Sequence, residues 1–301
     1  MKILVIFTGG TIACSQVNGT LAPDNSNSYA LIEMFKEKDG SVNFETAEPY
    51  FILSENLCAE NLEALYECIA RYDLNKFDGV IIAHGTDTLQ YTAAYLSLKL
   101  GLCDVPVVLV SSNFPLSDKR ANGFENFCGA VDFIRSGTGN GVFISYKNRG
   151  EVLKIHRGYM ALPHSPFSDD ICSMFNLHYG IVEGGIFTIN PDFAEDRFED
   201  MSACKLSGRV LWLRAHPDMI YPPLEGIKAV LLEGYHSGTL NTSSGELKKF
   251  CRKAKEEKIP VYLTGSEAGF EYESKAEFGN LGITVLPPMS PICAYMKLWL
   301  S

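Results

Sequence analysis

The chain has 301 residues, 46% hydrophobic and 21% charged, and its 26 Lys and Arg against 36 Asp and Glu give a formal net charge of −10. That length suggests about two domains, and an acidic balance with no Lys/Arg stripe argues against a nucleic-acid partner. No apolar run reaches the roughly 18 residues of a membrane span, Met1-Lys2 leads into the first strand without a signal-peptide pattern, and the nine cysteines form no C-x-x-C pair; the expectation is a cytoplasmic protein with free thiols, no disulfide framework and no metal site.

In chain order, the apolar run over 3–7 reads as a parallel strand buried on both faces. Thr8-Gly9-Gly10-Thr11-Ile12-Ala13 follows it directly. Two glycines there allow a sharp turn and leave room for a small molecule at the strand's carboxyl end, where open α/β sheets bind ligands. A threonine hydroxyl in that crevice can attack a carbonyl if a base takes its proton and N–H groups receive the oxyanion; otherwise Thr11 is a turn residue. Residues 14–28 are polar and rich in Gly, Asn and Ser, a loop long enough to cover a site. A short helix is expected from Tyr29, a strand over 42–46, and a helix from about Ala59 with Leu62, Leu65, Tyr66 and Ile69 at helical spacing. Ser54 and Glu55 fall in the connection before that helix, facing a ligand or capping the helix.

The second buried strand, 79–83, runs into His84-Gly85-Thr86-Asp87-Thr88 and a helix over 90–100. Further strands are expected over 107–110 and 142–144, with 151–155 as the second arm of a hairpin carrying Lys154. Gly137, Gly139 and Gly141 precede a strand rather than a helix and read as a turn, not a phosphate loop. Acidic and small residues make 191–207 a linker between an N-terminal α/β domain, 1–190, and a smaller one, 208–301. In the second, strands are expected over 210–213, 228–232, 261–263 and 283–286, with helices over 245–257, opened by a Ser243-x-x-Glu246 capping box, and 291–300. The fold class is therefore α/β, two domains with mostly parallel sheets. The histidines at 84, 156, 164, 178, 216 and 236 have no metal-ligand spacing, and His84 reads as structural.

The pair TGGTIA at 8–13 and HGTDT at 84–88, about 70 residues apart and each after a buried strand, resembles the bacterial-type L-asparaginase and glutaminase family. The likeness spans essentially the whole chain and implies two α/β domains, no cofactor, and hydrolysis of a side-chain amide through an acyl-enzyme on a threonine. By that resemblance Thr11 matches the nucleophile, and Thr86, Asp87 and Lys154 the second catalytic group. Ser54 and Glu55 match the pair that holds the substrate's α-carboxylate and α-amino group, with Thr86 and Asp87 also lining the substrate. For Lys154 the competing reading is a solvated lysine at a strand edge. Expected partners are a small-molecule substrate, L-asparagine and also L-glutamine, and further copies of the chain in a homodimer or homotetramer. One departure is plain: many relatives carry a tyrosine in the loop after the nucleophile, and 19–23 here reads Gly-Thr-Leu-Ala-Pro. The alternatives are a glutaminase-asparaginase of mixed specificity, the asparaginase-like chain of a tRNA-dependent amidotransferase, whose extra N-terminal domain is not expected ahead of Lys2, and a non-catalytic amino-acid sensor.

Overall fold

Five apolar residues in succession leave a strand no polar face, and β1 (Lys2–Phe7) is buried on both sides from Ile3 onward, as the interior of a parallel sheet requires. The computed structural model describes residues 1–10, 12, 14–17, 20–23, 29–194, 200–266 and 272–301. It falls into two units, Met1–Ala203 and Cys204–Ser301. In the first, β1 is followed by β2 (Cys14–Val17), β3 (Thr20–Pro23), α1 (Ala30–Lys38), β4 (Asn43–Ala47), α2 (Ala59–Ala70), β5 (Gly79–Ala83), α3 (Leu89–Leu100), β6 (Pro106–Val110), α4 (Gly123–Arg135), β7 (Gly141–Tyr146), β8 (Leu153–Arg157), β9 (Gly180–Glu183) and β10 (Ile186–Ile189). Eight of these strands make one sheet in the order β10-β9-β8-β7-β6-β5-β1-β4. From β4 to β7 neighbours are parallel; β8, β9 and β10 continue the sheet antiparallel. Its core includes Phe7, Phe35, Phe127, Phe133 and Phe143, each fully buried ring contributing about 1.5–3 kcal/mol.

The second unit holds β11 (Val210–Arg214), β12 (Ala229–Glu233), α5 (Gly245–Glu256), β13 (Val261–Thr264), α6 (Glu273–Ala276), β14 (Ile283–Val285) and α7 (Pro291–Leu300). Its four strands are parallel in sequence order. Both long helices begin on a serine whose side chain accepts an orphan backbone N–H: Ser290 from Cys293 at 3.0 Å and Ser244 from Glu246 at 3.3 Å. The α5 cap is thus Ser244 and not Ser243. Among the described residues no helix is long and apolar enough to cross a membrane.

The α/β class with a large, mostly parallel sheet is as expected, but the β2–β3 pair, helix α4, the β9–β10 hairpin and the short helix α6 are additional. The segment read as a plain loop after Ala13 contains the antiparallel pair β2 and β3; Asn18-Gly19 between them is a strong short-range hairpin signal in the sequence. Helix α4 forms although Gly123 and Gly129 dilute its pattern; glycine stands at 129 because a side chain there would run into Leu153 of β8. The β9–β10 hairpin turns through Gly184 and Gly185, both at positive φ.

Candidate active site

Three connections converge at the carboxyl end of β1 and β5, which are hydrogen-bonded neighbours with Phe7 opposite Ala83. Past the strand end, Thr8 keeps the chain against β5: its N–H and its hydroxyl both donate to the Ala83 carbonyl, at 3.1 and 2.9 Å. On the other side Ile52 N–H donates to the Thr8 carbonyl at 3.1 Å and Gly10 N–H to the Ile52 carbonyl at 2.9 Å. Gly10 sits at φ +82°, and a Cβ there would collide with the Gly85 backbone. A Cβ on Gly85 would in turn strike the Ser54 hydroxyl. Glycine at both places is what lets the turn after β1, the segment before α2 and the turn after β5 touch backbone to backbone.

Side chains then tie the contact together. Ser54 is buried on the one-turn 3₁₀ helix Ser54–Asn56 and donates from Oγ to Asp87 Oδ2 at 3.2 Å. Thr88 Oγ1 donates to the Ser54 carbonyl at 2.8 Å. Ser54 does not cap α2: that helix opens at Cys58, whose N–H donates to Asn61 Oδ1. Thr86 is half-buried, while Asp87 and Glu55 are exposed, so the cluster presents a hydroxyl and two carboxylates to solvent above a floor of backbone. His84 lies beneath it. Its Nδ1 meets the Gly85 carbonyl at 2.8 Å and its Nε2 the Thr92 hydroxyl at 2.9 Å, and burial holds its pKa down at about 4, so it is neutral and braces the turn from within.

Ser54, Glu55, Thr86 and Asp87 therefore share one locality with Gly10. Thr11, the residue after Gly10, lies outside the described residues. Lys154 is not brought to this group. It is on β8 opposite Tyr146, three strand positions from β5, about 14 Å at the usual spacing. Its Nζ is 2.6 Å from Glu151 Oε2, and that hydrogen bond is the first cause of a lowered Glu151 pKa. The pair lines a cavity of about 40 Å³ with Asn148, His156, Ser173 and His178. His156 is buried there, bonded through Nδ1 to Ser173 Oγ at 2.8 Å, and burial pushes its pKa down to about 3.

A residue with no assigned role reaches the site instead. His164, half-buried in the connection between β8 and β9, sets Nε2 3.2 Å from the Thr86 carbonyl and Nδ1 3.1 Å from the Asp170 carbonyl. Its contact spans 78 positions, and nothing local in the sequence signals it. Among the described residues no group of three or more His, Cys, Asp or Glu could hold a metal ion.

The family model for the N-terminal part of asparaginase matches residues 2–165. The chain is 25% identical over 274 residues to an L-asparaginase of Thermococcus kodakarensis, covering 88% of this chain and 80% of that one. It is 28% identical over 329 residues to a glutamyl-tRNA(Gln) amidotransferase subunit of Methanobrevibacter smithii, covering 99% and 71%. The solved structure of the thermostable L-asparaginase from T. kodakarensis matches with a TM-score of 0.80 at 24% identity, over 100% of this chain and 92% of that one, so the fold is shared.

Proposed function

Because the chain belongs to the asparaginase family and is an amidohydrolase, we propose that it hydrolyses L-asparagine to L-aspartate and ammonia through an acyl-enzyme on Thr11. The observation that carries this reading is the Ser54–Asp87 hydrogen bond at the junction of the Gly10 and Gly85 turns. That junction offers a free amino acid both recognition and reaction. The carboxylates of Asp87 and Glu55 suit an α-ammonium, and the Ser54 hydroxyl suits an α-carboxylate. Held by these groups, the substrate would lay its side-chain amide over the turn after β1.

Thr11 Oγ attacks the amide carbon and loses its proton; backbone N–H groups of the two turns receive the oxyanion. Collapse of the tetrahedral intermediate expels ammonia with that proton, leaving an aspartyl ester. Water, activated beside the Thr86 hydroxyl, then breaks the ester and frees aspartate and Thr11. A second copy of the chain, in a homodimer or homotetramer, is part of this reading.

The 28% identity to an amidotransferase subunit along 99% of the chain favours a second reading, release of ammonia for a partner enzyme. Glutamine differs from asparagine by one methylene, worth only about 1–3 kcal/mol in a pocket. Ammonia release from L-asparagine and L-glutamine by the isolated chain separates these, with Thr11→Ala as control. Turnover of asparagine that disappears in the variant is expected. Ammonia from both substrates would support the mixed reading, ammonia from glutamine alone would favour the partner-supplying one, and none from either would reject the asparaginase.

A further inference from the structure

We propose that His164 is a positioning residue for the reaction, holding the Thr86–Asp87 peptide where a lysine was expected to act. This rests on the asparaginase reading. Three observations lead to it. The lysine expected beside Thr86 is committed to Glu151 on β8. The Thr86–Asp87 turn is fixed on one side by Ser54, through Asp87 and Thr88. The Thr86 carbonyl oxygen, which accepts from the Leu89 N–H of α3 at 3.3 Å, also meets the His164 ring at 3.2 Å, the side chain that reaches it from the β8–β9 connection.

The chemistry of the two contacts is specific. Both ring nitrogens face carbonyl oxygens, which only accept. Both are hydrogen bonds at once only when the ring carries a proton on each nitrogen. Donation from Nε2–H to the Thr86 carbonyl fixes the peptide plane that links Thr86 to Asp87. It also polarises that plane, because the Thr86 carbonyl and the Asp87 N–H belong to one amide, and hydrogen bonds in a chain strengthen one another. The Thr86 hydroxyl and the Asp87 carboxylate, which flank this amide, are held relative to each other. Through the second contact, at Asp170, the same ring ties the β8–β9 connection to the catalytic turn.

Two amide side chains separate the two contacts. In His164→Gln the amide nitrogen lies near the place of Nε2 and keeps a donor for Thr86; in His164→Asn it lies near Nδ1 and keeps only the strut to Asp170; His164→Leu keeps neither. With wild type releasing ammonia from L-asparagine, kcat is expected to fall at least tenfold in the Leu and Asn variants, with KM within twofold, and to recover to within threefold of wild type in the Gln variant. Equal rates in all four, or recovery by Asn as complete as by Gln, would overturn the proposal, the latter reducing His164 to a loop strut.

A readout independent of turnover is the nitrogen spectrum of ¹⁵N-histidine-labelled protein, in which the signals missing from His164→Gln identify the ring. A protonated Nε2 is expected; an Nε2 without a proton overturns the contact. A wild-type protein that releases no ammonia would reject the asparaginase reading and the effect on rate, while the nitrogen spectrum would still decide whether His164 grips Thr86.

Discussion

Two polar clusters lie in the same sheet-bearing unit, and they differ in what they leave available. At β8, Lys154 and Glu151 neutralise each other at 2.6 Å and His156 is kept neutral by burial against Ser173. That cluster has spent its chemistry on itself. At the carboxyl end of β1 and β5, the charged groups Asp87 and Glu55 stay exposed while glycines bring three backbone segments together beneath them. The second cluster therefore keeps charged groups free to meet a ligand, as the proposed function requires, whereas the first does not. The lesson is that strand order, which a hairpin motif does not reveal, sets the clusters apart: two strands, β6 and β7, lie between β5 and β8.

The comparison breaks most directly at Asp87. Asp87→Ala removes the acceptor of Ser54 and an exposed carboxylate, and on the proposed function is expected to lower kcat/KM for asparagine about 10³-fold with no loss of fold; circular dichroism and ammonia release check both halves. Gly85→Ala attacks the same cluster through packing. A methyl group there strikes Ser54 and the Gly10 backbone, so activity should drop at least tenfold and the unfolding free energy by about 1–3 kcal/mol, measured by denaturant titration.

How far the sequence could be read follows the same division. Buried strands announced themselves as apolar runs, and because β1 and β5 are adjacent and parallel, the two Gly-containing motifs that follow them had to meet. Thr86, Asp87 and Ser54 were accessible to that logic. His164 was not: it arrives from an irregular connection, and only tertiary folding sets it against Thr86. For Lys154 the hairpin with β7 was legible, but the strand order that sets β8 three positions from β5 leaves no local trace. Helix α4 was hidden by Gly123 and Gly129, whose reason is packing against Ser112, Leu116 and Leu153 rather than helix propensity.

Two smaller effects sharpen the contrast. His84 under the site and His156 at β8 are both buried neutral, with pKa values held down at about 4 and about 3. Below the ordinary histidine range the unfolded chain takes up protons that the folded chain refuses, so stability falls as pH drops from about 6.5 toward 4, by about 1.4 kcal/mol per pH unit for each histidine. Replacing either by Gln should flatten the stability–pH slope by one such increment, read by urea unfolding at pH 6.5, 5.5 and 4.5. Smallest of all is Lys154→Met. The pair it breaks is partly solvated, with the two side chains 20% and 43% exposed, and the cost should stay below about 1 kcal/mol.

The most direct test sets the two clusters against each other in one assay: the rate of ammonia release from L-asparagine by Thr86→Val and by Lys154→Met, each compared with the parent chain. The account predicts a loss of about 10³-fold for Thr86→Val and less than about threefold for Lys154→Met, whose ion pair is structural. A collapse of activity in Lys154→Met as deep as that in Thr86→Val would contradict it, and would put the lysine back in the reaction.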